Sequence, residues 1–120
     1  MNVQLTNCLL ELQTREDAVI ARFTRPVSLC GQVADAAAEQ LMSLLTETGR
    51  RRLLIDFGNV ESLTSFMLGK LVTLNRTAES VGRRVALFNV PPYVRQILEV
   101  SRLTLLLSLF EDESTALAGS

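Results

Sequence analysis

Short apolar runs and helical spacings alternate along the chain. Roughly Cys8–Gln13 and Asp17–Phe23 carry the clusters Leu9-Leu10-Leu12 and Val19-Ile20-Phe23, and the polar triplet Arg15-Glu16-Asp17 between them suits a hairpin turn. Pro26 and Gly31 bracket a loop. From about Gln32 the spacing becomes helical, through Val33, Ala37, Leu41, Leu44, Leu45 and Thr48, and Gly49 sits where a C-terminal cap belongs. Leu53-Leu54-Ile55-Asp56-Phe57 is a continuous apolar run of the kind found in a strand buried on both faces. After Gly58-Asn59, the segment Val60–Ser65 is short and polar. A second helix then runs to about Ser80, with Met67, Leu71, Leu74, Ala78 and Val81 on one face and Leu68 and Val72 widening it; Gly82 stops it. Arg84–Asn89 reads as a strand, Pro91-Pro92 breaks it, and Val94, Ile97, Leu98 and Ser101 space a third helix. Leu105–Phe110 suits a last strand, and Asp112 can cap a short helix through Leu117. The order β-β-α-β-α-β-α-β-α predicts an α/β layer on a mainly parallel sheet.

Composition narrows the function more than the fold. The 120 residues suit one domain, residues 1–120, with 48% apolar and 21% charged residues. No apolar run reaches the ~18 residues needed to span a bilayer. The start, Met1-Asn2-Val3-Gln4, has no basic region leading into an apolar stretch, so neither a leader nor membrane insertion is expected, and the expected location is the cytoplasm. The formal charge of −1 argues against a nucleic-acid partner, as does the lack of Trp beside a lone Tyr93. That charge divides unevenly: −3 over residues 1–49, +5 over 50–102 and −3 over 103–120. Solvated arginines scattered around the elements are the plain account of the positive middle. The sequence has no histidine, which removes the commonest general base and metal ligand. Cys8 and Cys30 are far apart and are expected to be reduced thiols packed as small hydrophobes. The dispersed glycines build no phosphate loop. No catalytic residue, cofactor or metal is expected, and an enzyme is the least supported class.

In open α/β sheets, ligands and chemistry gather at the carboxyl ends of strands, here Asp56 to Leu68 and Asn89 to Tyr93. Ser62, Thr64 and Ser65 lie at a helix start, where a hydroxyl commonly caps the first turn. The same place tolerates a covalent switch, because a helix N-terminus stabilises the charge of a phosphoryl group. Asp56 closes a buried strand, as the phosphoacceptor of receiver domains does. The acidic pair and the lysine that such a domain needs are missing, so Asp56 is expected to brace the following loop instead. Ser65 has no flanking glycines and no histidine to activate it, so hydrolase chemistry is excluded.

The stretch from Leu53 through Asp56, Ser65 and Leu68-Gly69 to Leu71 resembles the signature of the STAS domain, the fold of bacterial anti-sigma-factor antagonists. Gly82–Val90, Val94–Glu99, Leu103, Phe110 and Ala116-Leu117 fit the rest. The resemblance implies a single STAS-like α/β domain, its central mixed and mainly parallel sheet of about five strands carrying four helices largely on one side. It implies a phospho-regulated binding module in partner switching. The unmodified domain binds an anti-sigma factor with serine kinase activity, phosphorylation of the serine at the helix start breaks the complex, and a serine phosphatase restores it. By motif position that serine is Ser65. The family usually has Asp where this chain has Thr64, which makes Thr64 a possible second acceptor, and often Gly where it has Met67. The expected partner surface is Ser62, Thr64, Ser65, Phe66, Met67 and Lys70, helped by the Pro26–Gly31 loop. The resemblance also admits an accessory subunit on the ATPase of a lipid-transport ABC system, or a scaffold subunit of a signalling assembly.

Overall fold

Each apolar run inferred above finds two neighbours that explain it. In the computed structural model, which describes residues 3–6 as backbone and 9–119 in full, the chain forms β1 (Val3–Thr6), β2 (Leu10–Arg15), β3 (Ala18–Phe23), β4 (Val27–Leu29), α1 (Gly31–Glu47), β5 (Arg52–Asp56) and β6 (Val60–Leu63). There follow α2 (Ser65–Ser80), β7 (Arg84–Phe88), α3 (Pro92–Val100), a 3-10 turn (Leu103–Leu105), β8 (Ser108–Phe110) and α4 (Glu113–Gly119). The main sheet is ordered β1-β2-β3-β5-β7-β8. The β1–β2 and β2–β3 pairs are antiparallel, and the β3–β5, β5–β7 and β7–β8 pairs are parallel. This is the α/β class and mainly parallel sheet that the alternation implied, and the mixed sheet that the resemblance implied.

Successive side chains of a strand face opposite sides. Leu53 and Ile55 of β5 enter a large core with Val85 and Leu87 of β7, closed by α1, α2 and α3. Leu54 points the other way, joining Ala18, Ile20, Ala86 and Phe88 beneath Ala116 of α4. Both faces are therefore dry along β5, which is why its sequence shows no alternation. Three helices lie on one side and α4 on the other. Each of the two glycines that end α1 and α2, Gly49 and Gly82, takes φ 74°, the left-handed conformation that a C-terminal cap requires.

Several local expectations change. The Pro26–Gly31 loop and the polar Val60–Ser65 segment contain β4 and β6, which pair in parallel as a separate two-stranded sheet. Three or four residues are too few to show a period. β1 is an additional edge strand. The last strand begins only at Ser108, because Arg102 at φ 62° turns the chain into the 3-10 helix first. In α1 the buried stripe is Ala34, Ala37, Leu41 and Leu45, leaving Val33 exposed. Val81 follows the last turn of α2 and is exposed instead of continuing its apolar face. Cys30 is also exposed, at the cap position of α1, and does not pack as a hydrophobe. Cys8 lies outside the described residues.

Candidate functional site

The site is built on the carboxyl ends of β3, β5 and β7. Backbone N–H groups cross from one strand end to the next: Phe57 donates to the Phe88 carbonyl at 2.9 Å, and Val27 to the Asn59 carbonyl at 2.8 Å. Asp56 holds the turn after β5. Its Oδ1 accepts from the Gly58 amide at 2.8 Å and from Asn89 Nδ2 at 3.3 Å, while Oδ2 accepts from Arg22 Nη1 at 2.8 Å. A Cβ on Gly58 would stand 3.0 Å from Asp56 Oδ1, a tight contact to which the Asp56 carboxylate would have to yield by a few tenths of an ångström. Asn89 reaches Asp56 from φ 57°, a conformation that asparagine tolerates better than most residues. Arg22 continues to Glu113 of α4 at 2.7 Å. Burial pulls the Arg22 pKa down, but the hydrogen bonds to Glu113 and Asp56 outweigh it and hold the guanidinium more firmly protonated than usual.

The β4–β6 pair then sets two helix starts side by side. Leu29 and Leu63 are in register, the next residue of β4 is Cys30, which precedes α1, and the next residue of β6 is Thr64, which precedes α2. Thr64 N donates to the Leu29 carbonyl at 3.3 Å. The Thr64 hydroxyl caps α2, accepting from Met67 N at a long 3.5 Å. Two positive helix ends thus converge on one rim.

The residues singled out from the sequence divide between this rim and the core beneath it. Ser62 is half-buried, its hydroxyl 3.2 Å from that of Ser28 across the small sheet. Ser65 opens α2 with its side chain exposed and without a hydrogen bond to any described residue. Phe66 is 49% exposed, and the Lys70 ammonium stands 5.1 Å from its ring centroid in a cation–π contact. Met67 is different: it is 1% exposed and packs with Leu71, Leu74 and Leu41. The partner-contact expectation for Met67 is corrected accordingly, since a methionine two residues into α2 on its inward stripe belongs to the core.

Sequence reasoning missed Arg22, and it marked the segments that hold Asn59 and Asn89 without the role their side chains have in tying the strand ends together. Asn59 Nδ2 donates to the Phe23 carbonyl at 2.9 Å, a contact between residues 36 apart that no local pattern signals. It also missed a groove of about 420 Å³ between α1 and α2, floored by Met67, Leu71 and Leu74 and edged by Asp35, Glu39 and Lys70. Among the described residues no group of three or more His, Cys, Asp or Glu side chains could hold a metal. The rim offers exposed hydroxyls, an aromatic ring and a cation on rigid helix starts, which suits docking of a macromolecule.

Comparison with known proteins accords with this geometry. No curated relative is found at the sequence level. Among solved structures, TM1081 of Thermotoga maritima superposes with a TM-score of 0.80 at 20% identity over 91% of this chain and 92% of that one. The Bacillus anti-sigma factor antagonist SpoIIAA, in its unphosphorylated form, gives 0.73 at 18% identity over 92% and 97%. An anti-sigma-factor antagonist (STAS) domain protein of Planctomyces limnophilus gives 0.76 at 19% over 91% and 95%. At these identities the likeness establishes the fold. The family model described as Mlab, STAS domain, matches residues 20–108, from within β3 to the start of β8 and including both helix starts of the rim, and the chain belongs to the STAS family.

Proposed function

We propose that this chain is a non-catalytic protein-binding module, an anti-sigma-factor antagonist whose partner docks over the start of α2 and is released by phosphorylation of Ser65. The observation that carries the reading is the Ser65 hydroxyl, exposed and unbonded at the first residue of a 16-residue helix whose cap is already supplied by Thr64. A residue that capped the helix itself would be serving stability; Ser65 is spare. The docking surface is Ser62, Thr64, Ser65, Phe66 and Lys70, with the Pro26–Gly31 segment beside them. The partner is an anti-sigma factor with serine kinase activity, and a serine phosphatase resets the complex.

Phosphorylation adds about −1.5 to −2 charges and three acceptor oxygens at this point. The helix end offsets part of that charge, by about 0.3–1 kcal/mol at an exposed site, so the domain stays folded. A partner packed over Ser65 has to desolvate the phosphate or oppose it with its own acidic groups, at a cost of several kcal/mol. A loss of about 3 kcal/mol weakens binding more than a hundredfold. The test is intact mass after incubation with candidate kinases and ATP. It is followed by titration of wild type, the phosphorylated protein, Ser65→Asp and Ser65→Ala against the partner. Release is expected for the phosphoprotein, partial release for Ser65→Asp and constitutive binding for Ser65→Ala. Equal affinities for all four would leave Ser65 without a regulatory role.

A second reading, which STAS-family membership also admits, is an accessory subunit on a transport ATPase. It uses the same rim for a standing interface. Co-purification with an ATPase that Ser65→Ala leaves intact, and the absence of any kinase-dependent mass shift, would select it.

A further inference from the structure

The opposite end of the molecule, where β3, β5, β7 and β8 begin and α1, α2 and α3 end, has a different surface. Four of the seven large apolar side chains exposed among the described residues lie there: Val81, Val100, Leu105 and Leu106, at 51%, 78%, 80% and 52%. Two of them are held outward by the fold. Arg102, at φ 62°, turns the chain from α3 into the 3-10 helix, so that Leu103 and Leu107 point into the core while Leu105 and Leu106 point away. Asn75 Nδ2 fastens that turn through the Leu106 carbonyl at 3.3 Å. Monomeric domains rarely gather this many apolar side chains on one surface without something to cover them.

The same end is rich in arginine. The connecting segments 48–52, 81–84 and 100–106 hold no acidic residue and six arginines, which outnumber Glu16 and Asp17 in the turn before β3 and Glu47, Glu79 and Glu99 in the last turns of α1, α2 and α3. β5 and β7 bring two of these segments together, with Arg52 opposite Arg84 and Arg84 N donating to the Arg51 carbonyl at 2.9 Å. Arg84 and Leu106 each stand two residues ahead of the paired Ala86 and Ser108, which carries the row into the leucine turn. Some of the charge has structural work: Arg83 donates to the Leu45 carbonyl at the end of α1, and Arg52 pairs with Asp17 at 2.8 Å. The exposed side chains of Arg51 and Arg102 hydrogen-bond to no described residue, although the Arg51 charge helps lower the Asp17 pKa. Capping of helix C-termini accounts for Arg83, but for neither Arg51 and Arg102 nor the leucines beside them.

We propose that this end is a peripheral docking surface for an anionic phospholipid bilayer. The leucine and valine side chains enter the boundary between headgroups and acyl chains, and the arginines stay at phosphate level. Exposed apolar side chains at the ends of α2 and α3 and in the 3-10 turn, with arginines beside them, match the apolar boundary and the phosphate level of an anionic bilayer. No helix among the described residues is long and apolar enough to cross a membrane, so the domain lies on the surface. The exposed leucines lie at the pole away from the start of α2, so docking through them leaves the Ser65 rim facing away from the bilayer.

The experiment is sedimentation of the full chain with phosphatidylcholine vesicles, with and without phosphatidylglycerol, at low and moderate salt. Binding is expected only to the phosphatidylglycerol vesicles and weakens with salt. Arg51→Gln and Arg102→Gln should each lower the partition coefficient about fivefold. Leu105→Ser combined with Leu106→Ser should abolish binding, and all variants should keep the wild-type circular dichroism spectrum, since every replaced side chain is exposed. Absence of binding to phosphatidylglycerol vesicles would overturn the proposal, as would equal binding to neutral vesicles. Capture of an oligoglutamate peptide without any vesicle binding would also overturn it and assign the surface to an acidic protein segment.

Discussion

At residue scale, neighbouring positions at the start of α2 do different work. Thr64 caps the helix, Ser65 is free, Phe66 faces solvent against Lys70, and Met67 enters the core. Thr64→Ala should therefore cost stability, about 0.5–1 kcal/mol given the long 3.5 Å cap bond, while Ser65→Ala should leave the denaturation midpoint unchanged. Met67→Asp should unfold or severely destabilise the domain in a urea titration, because it buries a carboxylate without a partner. Phe66→Asp should keep the fold and lose the partner in a pull-down. A separate prediction belongs to Asp17. The hydrogen bond from Arg52 holds the Asp17 carboxyl below its ordinary value of 3.8. A group whose folded pKa is depressed contributes stability above its unfolded pKa and loses it as pH falls through the folded value. Stability should thus decline as pH drops below about 4 by this linkage, and Asp17→Asn should flatten that part of the profile in denaturation curves measured across the acid range.

At the scale of elements, α4 is attached to the sheet through both packing and charge. Ala116 is buried over Ile20 and Leu54, and Arg22 joins Glu113 of α4 to Asp56 of β5. Arg22 is half-buried, so removing it takes a cation from two partly buried carboxylates, leaving Glu113 with Arg15 at 3.5 Å and Asp56 with Gly58 and Asn89. Arg22→Ala should destabilise by about 1–3 kcal/mol. It should also raise amide exchange in α4 and in the Gly58 turn together. Exchange that rises in α4 alone would show that Asp56 is held well enough by Gly58 and Asn89. The Asp112–Thr115 pair, with Thr115 N on Asp112 Oδ1 at 2.9 Å, starts α4 where the sequence placed its cap. This helix is too short to persist without such anchors.

At the scale of the whole molecule, one large core under three helices and a smaller one under α4 share the strands between them. Ile55→Ala and Leu71→Ala both open cavities in the larger core and should each cost about 2–5 kcal/mol, read as a lowered denaturant midpoint. The near-zero net charge of −1 conceals an uneven surface, with exposed arginines and leucines at one end and the hydroxyl-bearing helix starts at the other. Arg51 and Leu105 lie at the end of the molecule away from Ser65, so substitutions there should leave titration at the Ser65 rim unaltered.

The order of the main elements was legible because each is long enough to repeat its pattern. Five apolar residues in β5 and stripes at helical spacing in α1 and α2 report burial directly. Met67 was legible too: its place in the stripe with Leu71, Leu74 and Ala78 marks it as core, and motif position alone suggested a surface role. Tertiary structure decided the rest. β4 and β6 each exist only because the other lies alongside, and a three- or four-residue strand has no stability of its own. The bracing of Asp56 by Arg22 and Asn89 joins residues 34 and 33 positions away, a contact that chain reversal creates and no local spacing encodes. The arginine-rich, apolar pole has the same origin. Its arginines and leucines are separated along the chain by helices and strands, and become one surface because parallel strands, joined by helices, must all begin at the same end of the sheet.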